Sequence, residues 1–425
     1  MARFLAVQLA RIGDLAQTRR LLAGLWRQAE KTGGEVHLAV DLSLVPLAQR
    51  LYPYAVVHGL PAHGAPGDAG MAAAAARVRD ARPAFAALAE IAFDKVFLLN
   101  FSPLAMALGA MFPPEIQRGY RLHAGQADKD ALLRLVFRLA RDRRGAGINL
   151  ADIWAHLDDY PLPPEAVNPP AAPRGGGLGV ALAGRAARRS LPPEVLAPLV
   201  RTLFLATGAR RVTLFGTKSQ AGEARALLRR LDPAVREACD DATGRTDLPG
   251  LLDALSGLDR LVTPDTGAMH LAAFCGVPVT AFFLSSAWSH ETGPYGIGHT
   301  VWQHTTPCAP CLESAPCDKG LVCLSPFADP GLLRCLAGAP KAAPPPGIVG
   351  LATDCDVLGA LCRPFCGEDP TRPRREAVRA FLTRRLAGAA ADGVDGSCGH
   401  ELAESLSLET DWVLPPAGRS LAGEW

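Results

Sequence analysis

The chain opens on a short apolar run, Phe4 to Leu9, and then changes period: from Thr18 to Ala29 the apolar side is marked by Leu22, Leu25, Trp26 and Ala29. A strand followed by an amphipathic helix is what this pattern predicts. Glu35 to Val40 and Lys95 to Asn100 read as further strands, and Ala72 to Ala92 as an alanine-rich helix interrupted near Pro83. Strands that alternate with helices predict a parallel sheet covered on both faces.

Between Tyr160 and Gly179 the sequence becomes PLPPEAVNPPAAPRGGGLG, which can hold neither a helix nor a central strand and reads as a linker. The alternation then begins again. Gly179–Ala183, Arg211–Phe215, Leu261–Thr263 and Val277–Leu284 read as strands, and Pro193–Thr207, Ala221–Leu231, Leu248–Ser256 and Gly267–Cys275 as helices. The expected fold is α/β, with a Rossmann-like, doubly wound domain over 1–165, a second over 175–338, and an extension of uncertain fold over 339–425 that holds a helix from Arg375 to Leu386. Two such domains are expected to face a cleft at the carboxyl ends of their strands, where ligands of wound sheets bind.

Composition narrows the class. With 425 residues, 49% of them hydrophobic, the chain can bury more than one core, and a disordered chain is excluded. Its net charge of +2 gives no general drive toward nucleic acid, and no aromatic interleaving suited to base stacking is present. The N-terminal apolar run is too short for a signal peptide. The uncharged stretch Thr266 to Ser289 is long enough to span a bilayer, but Gly276 and Pro278 break it and His270 lies inside, so it reads as a buried helix, a turn and a buried strand. A cytoplasmic location is expected, in which the eleven cysteines stay reduced.

The strongest local signal is LVTPDTGAMHLAAFCGVPV: a strand ends near Thr263, the polar loop Asp265, Thr266 and Gly267 follows, and a helix begins. Unpaired N–H groups at a helix start carry partial positive charge, and glycine lets a ligand approach closely, so the loop suits a diphosphate. The competing reading is a plain helix cap made by Asp265 or Thr266.

The stretch DTGAMHLAAFCGVPV, followed by Gly293, Pro294 and Tyr295, resembles the donor-binding signature of glycosyltransferase family nine, the ADP-heptose:lipopolysaccharide heptosyltransferases. RIGDLAQT at Arg11–Thr18 resembles the N-terminal motif of that family, and NLADIWAHL at Asn149–Leu157 and TGRTDLPGLLDALSGLDRLV before the loop fall in the same order. The resemblance implies the two-domain GT-B fold, with a lipopolysaccharide-like acceptor on the first domain and a nucleotide sugar, ADP-heptose, on the second. It implies an inverting transfer in which Asp14 is the general base. As a side chain, Asp14 also reads as an N-cap. Arg188 or Arg189 stands where the family places a phosphate-binding lysine, and a solvated surface pair is the competing reading. Glu223 matches a ribose-binding glutamate or a first-turn helix acid, and His270 a donor contact or a packed core histidine. No aspartate-rich metal motif occurs, and no cofactor is expected. Two rivals stay open: a nucleotide-sugar epimerase, and a non-catalytic sugar-nucleotide- or metal-binding protein.

Two further features bear on partners. Cys308, Cys311, Cys317 and Cys323 are spaced C-x2-C-x5-C-x5-C, which suits a zinc or iron–sulfur site but is not the spacing of a zinc ribbon, so packed reduced thiols and no metal are the expectation. Cys355, Cys362, Cys366 and Cys398 are too irregular to interpret. Arg118 to Arg144 holds eight basic residues against three acidic ones, an excess suited to an anionic acceptor or to peripheral contact with the inner membrane, and equally to a solvated amphipathic helix.

Overall fold

The computed structural model describes residues 1–63, 71–123, 125–182, 187–312 and 315–386; Ala183, Cys398 and the extension beyond 386 lie outside the described residues. The chain divides into two units: Met1–Gly145 with Leu150–Leu162 and the described residues from Ala377 on, and Ala146–Asn149 with Pro163–Glu376.

The first unit is built on a six-stranded sheet. Its strands are β1 (Arg3–Gln8), β2 (Glu35–Asp41), β3 (Ala55–Leu60), β4 (Lys95–Leu98), β5 (Gln117–His123) and β6 (Gln126–Lys129), in the order β3-β2-β1-β4-β5-β6. All neighbours are parallel except β5 and β6. Phe4, Leu5, Ala6 and Val7 of β1 are all buried, which is why this strand reads as an unbroken apolar run: a central parallel strand is covered on both faces. The helix Arg19–Thr32 turns Leu21, Leu22, Leu25 and Ala29 to the core and stops at Gly33, whose φ of 64° suits glycine. The expected break near Pro83 is absent, and the helix Met71–Ala89 runs through it. Proline there removes one N–H donor without ending the helix.

Asp152 lies within the NLADIWAHL segment, and its Oδ1 accepts from Arg20 Nη1 at 2.6 Å, both residues being fully buried. Arg20 Nε donates to the Leu162 carbonyl at 2.8 Å. This ion pair fastens the helix Arg19–Thr32 to the helix Leu150–Ala155.

The second unit carries an eight-stranded sheet. Its strands are β7 (Leu178–Ala181), β8 (Val212–Phe215), β9 (Cys239–Asp241), β10 (Arg260–Pro264), β11 (Val279–Phe283), β12 (Thr300–His304), β13 (Ile348–Cys355) and β14 (Ala360–Cys366), in the order β14-β13-β12-β11-β10-β7-β8-β9. The first six run parallel. Residues 348–366, whose fold the sequence left open, add β13 and β14 as an antiparallel hairpin on the β12 edge. Val180, Leu214, Val262, Phe282 and Trp302 pack in one core with the helix Pro193–Thr207. The proline-rich stretch before β7 lies along this unit, with Ala172 N–H bonded to Gly276 O at 2.9 Å and Gly176 N–H to Gly257 O at 2.9 Å. Among the described residues no helix is long and apolar enough to cross a membrane.

Candidate active site

In each sheet the order reverses at one place, between β1 and β4 in the first and between β7 and β10 in the second. Successive connections there leave in opposite directions and open a crevice at the carboxyl ends of the strands. The motif residues lie on the loops that border these two reversal points, and each half is described by itself.

In the first unit, β1 ends at Gln8 and the turn Leu9 to Arg11 leads into the helix Ile12–Gln17. Asn100, just beyond β4, holds this turn: its Oδ1 accepts from Leu9 N–H, and its Nδ2 donates to Gln8 Oε1 at 2.6 Å. Asp14 occupies the first turn of the helix, half-buried, and its Oδ2 accepts the Arg11 N–H at 3.2 Å. Asp14 is therefore not the N-cap, which is Arg11, but the third residue of the helix, reaching back to the N-cap N–H with one carboxylate oxygen and leaving the other beside it. Burial pushes the Asp14 carboxyl above its ordinary range, against the Arg11 N–H and guanidinium that pull it down. A raised carboxyl is a better proton acceptor once ionised.

His63 was not singled out in the sequence. The Asp41 carboxylate accepts the N–H groups of Ala62 and His63 at 2.9 and 2.8 Å, and this holds His63 Nε2 3.2 Å from the Ala10 carbonyl, within the same turn. A single histidine in the irregular stretch after β3 carries no periodic signal, so only the fold brings it here.

In the second unit the loop after β10 is the centre. Thr266 is the N-cap of the helix Gly267–Phe274: its Oγ1 accepts from Met269 N–H at 3.3 Å and lies 2.9 Å from Thr263 Oγ1. The cap leaves the first N–H groups of the helix without carbonyl partners in it, as an anion site requires. Asp265 does not cap; its Oδ2 lies 2.5 Å from Arg189 Nη2. His270 is buried, with Nε2 3.8 Å from Asp265 Oδ1, and burial, with the nearby Arg189 charge, lowers its pKa to about 4. It is neutral at physiological pH.

Arg188 and Arg189 follow β7 and so border the same reversal point, but their guanidinium groups have partners within the domain. Arg188 donates to the carbonyls of Leu312 and Ala315. Glu223 is exposed in the first turn of the helix Ala221–Leu228, beyond β8. Ser285, on the loop after β11, is a further residue that sequence reasoning missed. Its φ is 53° and its buried Oγ has no partner among the described residues. A serine after a buried strand is too common to signal this.

Cys308, Cys311, Cys317 and Cys323 line one small cavity of about 70 Å³ together with Ser285 and Arg188. Among the described residues no group of three or more metal-ligating side chains is arranged to hold an ion. Burial raises the Cys323 thiol, and the neighbouring Cys311 and Cys308 add to this. Along Arg118 to Arg144, Arg121 and Arg134 both pair with Asp128, so part of the basic excess is neutralised locally.

Residues 201–320 match the model of glycosyltransferase family 9 (heptosyltransferase). A glycosyltransferase family 9 protein of Veillonella parvula shares the fold at 14% identity, with a TM-score of 0.51 over 71% of this chain and 85% of that one. The E. coli ADP-heptose lps heptosyltransferase II is 15% identical, with a TM-score of 0.44 over 71% of this chain and 90% of that one. The E. coli heptosyltransferase WaaC with ADP is 15% identical, with a TM-score of 0.47 over 70% of this chain and 92% of that one. Comparison of the sequence with curated proteins finds no match. The matched segment contains the whole loop after β10, and the Veillonella protein shares the α/β fold; over that segment the chain resembles glycosyltransferase family 9, the heptosyltransferases.

Proposed function

We propose that the chain transfers a heptose or related sugar from an ADP-sugar to a hydroxyl of a lipopolysaccharide core or similar glycan, with inversion at the anomeric carbon. The observation that carries this reading is the loop Asp265–Gly267: a capped helix start at the reversal point of the second sheet, inside the segment that matches the family model. The helix N–H groups would receive the diphosphate as negative charge grows on it. Arg189 would act beside it as a charge already fixed by Asp265, Glu223 would accept the ribose hydroxyls, and the neutral His270 would donate to a phosphate or sugar oxygen.

In the transfer, Asp14 takes the proton of the acceptor hydroxyl as its oxygen bonds to the anomeric carbon, and the carbon–oxygen bond to the diphosphate breaks with its electron pair leaving on ADP. The Asp14 oxygen not engaged by Arg11 is free for that proton. A cytoplasmic nucleotide sugar and an acceptor carried by the inner membrane would place the reaction at the cytoplasmic face of that membrane.

The test is release of ADP from ADP-heptose, measured with and without a lipopolysaccharide-core acceptor, beside GDP- and UDP-sugars. Acceptor-dependent release from the ADP-sugar is expected; release without acceptor, or none from any sugar nucleotide, overturns the reading. The Thr266 hydroxyl at the helix start would donate to a phosphate oxygen, so Thr266→Val should weaken ADP about tenfold or more through the lost hydrogen bond to a charged group. Normal ADP affinity in that variant would leave Thr266 only its cap.

A further inference from the structure

The second unit has a larger cavity at the other end of its sheet. Arg260 opens β10 and Pro264 closes it, so this cavity lies roughly 13 Å from the donor loop along that strand, at ~3.3 Å per residue. It measures about 760 Å³ and is lined by the glycine loop before β7, the turn before β8 and the start of β10.

Its charges are unbalanced. Arg210, Arg211 and Arg260 line it against a single carboxylate, Asp259. That carboxylate is turned to the backbone, accepting the N–H groups of Gly175 at 2.5 Å and Gly177 at 2.9 Å. The glycine is required there: the φ of Gly177 is +85°, and a Cβ would stand 2.5 Å from the Arg211 carbonyl oxygen. Arg260 is half-buried, and its only partner among the described side chains is the neutral Oγ1 of Thr280, at 3.0 Å. Burial pushes its pKa down, the mark of a cation held away from water without a counter-charge. Arg210 and Arg211 are exposed, and neither forms an ion pair with a described residue.

A simpler account is that these arginines offset the carboxyl ends of the helices Pro193–Thr207 and Leu248–Ser256, which point the same way. The magnitudes speak against it. Each helix end offers about half a negative charge, so Asp259 and both ends together fall short of three guanidinium groups by roughly one unit. The last carbonyls of the first helix are also already satisfied, Leu205 O by Gly208 N–H at 3.3 Å and Phe204 O by Ala209 N–H at 3.2 Å.

We propose that this cavity is a second anion site that takes a phosphate-bearing ligand, with Arg260 at its base and Arg210 and Arg211 at its mouth. Its size suits a small organic phosphate or a phospholipid head group rather than a bare ion. The inference does not depend on the chemistry of the donor loop.

Pyrophosphate titrated calorimetrically into protein saturated with ADP should still bind, and Arg260→Gln should weaken that binding about tenfold or more. The double variant Arg210→Gln/Arg211→Gln changes exposed residues only and should weaken it likewise, which keeps the test available if Arg260→Gln does not fold. Co-sedimentation with vesicles of phosphatidylcholine containing phosphatidylglycerol separates the sources: loss of vesicle binding in the variants assigns a head group, and pyrophosphate binding alone assigns a soluble phosphate. Pyrophosphate and vesicle binding that are both absent, or equal in wild type and variants, overturn the proposal. Failure to bind ADP would count against the donor site, and pyrophosphate binding by the arginine variants would still decide this one.

Discussion

Arg189 Nη2 lies 2.5 Å from Asp265 Oδ2, with both side chains largely buried beside the loop after β10. The pair fixes the loop after β7 to the loop after β10, the two that border the reversal point. An arginine held this way keeps its position while charge develops on a leaving group, which is what electrostatic stabilisation needs.

Breaking the pair from one side should cost more than replacing both partners. Arg189→Met leaves the Asp265 carboxylate without this cation, and second-domain stability should fall by about 3 kcal/mol. Arg189→Met/Asp265→Leu should lose less than the sum of the two single variants. Urea unfolding of the four proteins measures this; additive losses would mean that the pair contributes no coupling.

Asp14→Asn should reduce turnover by roughly a hundredfold or more and leave ADP affinity almost unchanged, as removal of a general base does. Because burial raises the folded-state pKa of Asp14, activity should fall as pH drops through a value above the ordinary carboxylate range. The same shift acts on stability with the opposite sense. The folded protein holds this proton more tightly than the unfolded chain, so the Asp14 contribution declines as pH rises through the raised pKa. The asparagine can still accept the Arg11 N–H and carries no charge to bury, so the variant should melt higher than wild type at neutral pH while being slower. A lower melting temperature with unchanged turnover would leave Asp14 only its bond to the Arg11 N–H.

The wound sheets were legible because a buried parallel strand cannot avoid an apolar run: β1 and β11 stand out in the sequence for the same reason that they are covered on both faces. The helices Pro193–Thr207 and Leu248–Ser256 appear with their expected bounds, each opened by a proline in its first turn. The hairpin β13 and β14 was not legible. Its outer strand β14 lies at the edge, with Cys362, Arg363, Pro364 and Phe365 at least partly open to solvent and no simple alternation, while the buried run Ile348–Leu351 of β13 is a signal that sequence reading passed over. The site was legible as motifs and not as partners. Nothing in ALAGRAARRS tells that Arg189 meets Asp265 while Arg188 turns to the carbonyls of Leu312 and Ala315, since these are contacts between residues far apart in sequence.

Acid should unfold the second domain through its histidines. Burial is the first cause that holds His270, His299 and His304 each at about 4, with the Arg189 charge adding to it at His270 and that of Arg260 at His299. In the unfolded chain they return to about 6.5. The folded-state values are depressed, so the unfolded chain binds more protons between those limits, and stability is lost as pH falls from about 6.5 toward 4. Unfolding free energy against pH should show a slope approaching three protons in that window, and His304→Gln, if it folds, should reduce it by about one. A flat profile would mean that these rings are already charged or already open to water.

The fold buries Arg20 and Asp152 completely, with Nη1 and Oδ1 2.6 Å apart. Their charges have no access to water, so the interaction is favourable only while both are present and the Leu162 carbonyl takes the Arg20 Nε–H. Asp152→Asn keeps the volume but removes the counter-charge, and Arg20→Met removes the cation and the bond to Leu162. Each should destabilise the first domain by about 3–5 kcal/mol, the cost of stranding a buried charge. ADP binding, a property of the second domain on the reading above, should survive in protein that remains folded. Arg20→Met/Asp152→Leu should recover part of the loss, because no ion is then left buried. Chemical denaturation followed by amide hydrogen exchange of the helix Leu150–Ala155, which holds Asp152, reports on that domain. Equal stability in the single variants would mean that water reaches the pair, and that packing of the two helices rather than the ion pair holds this end of the domain together.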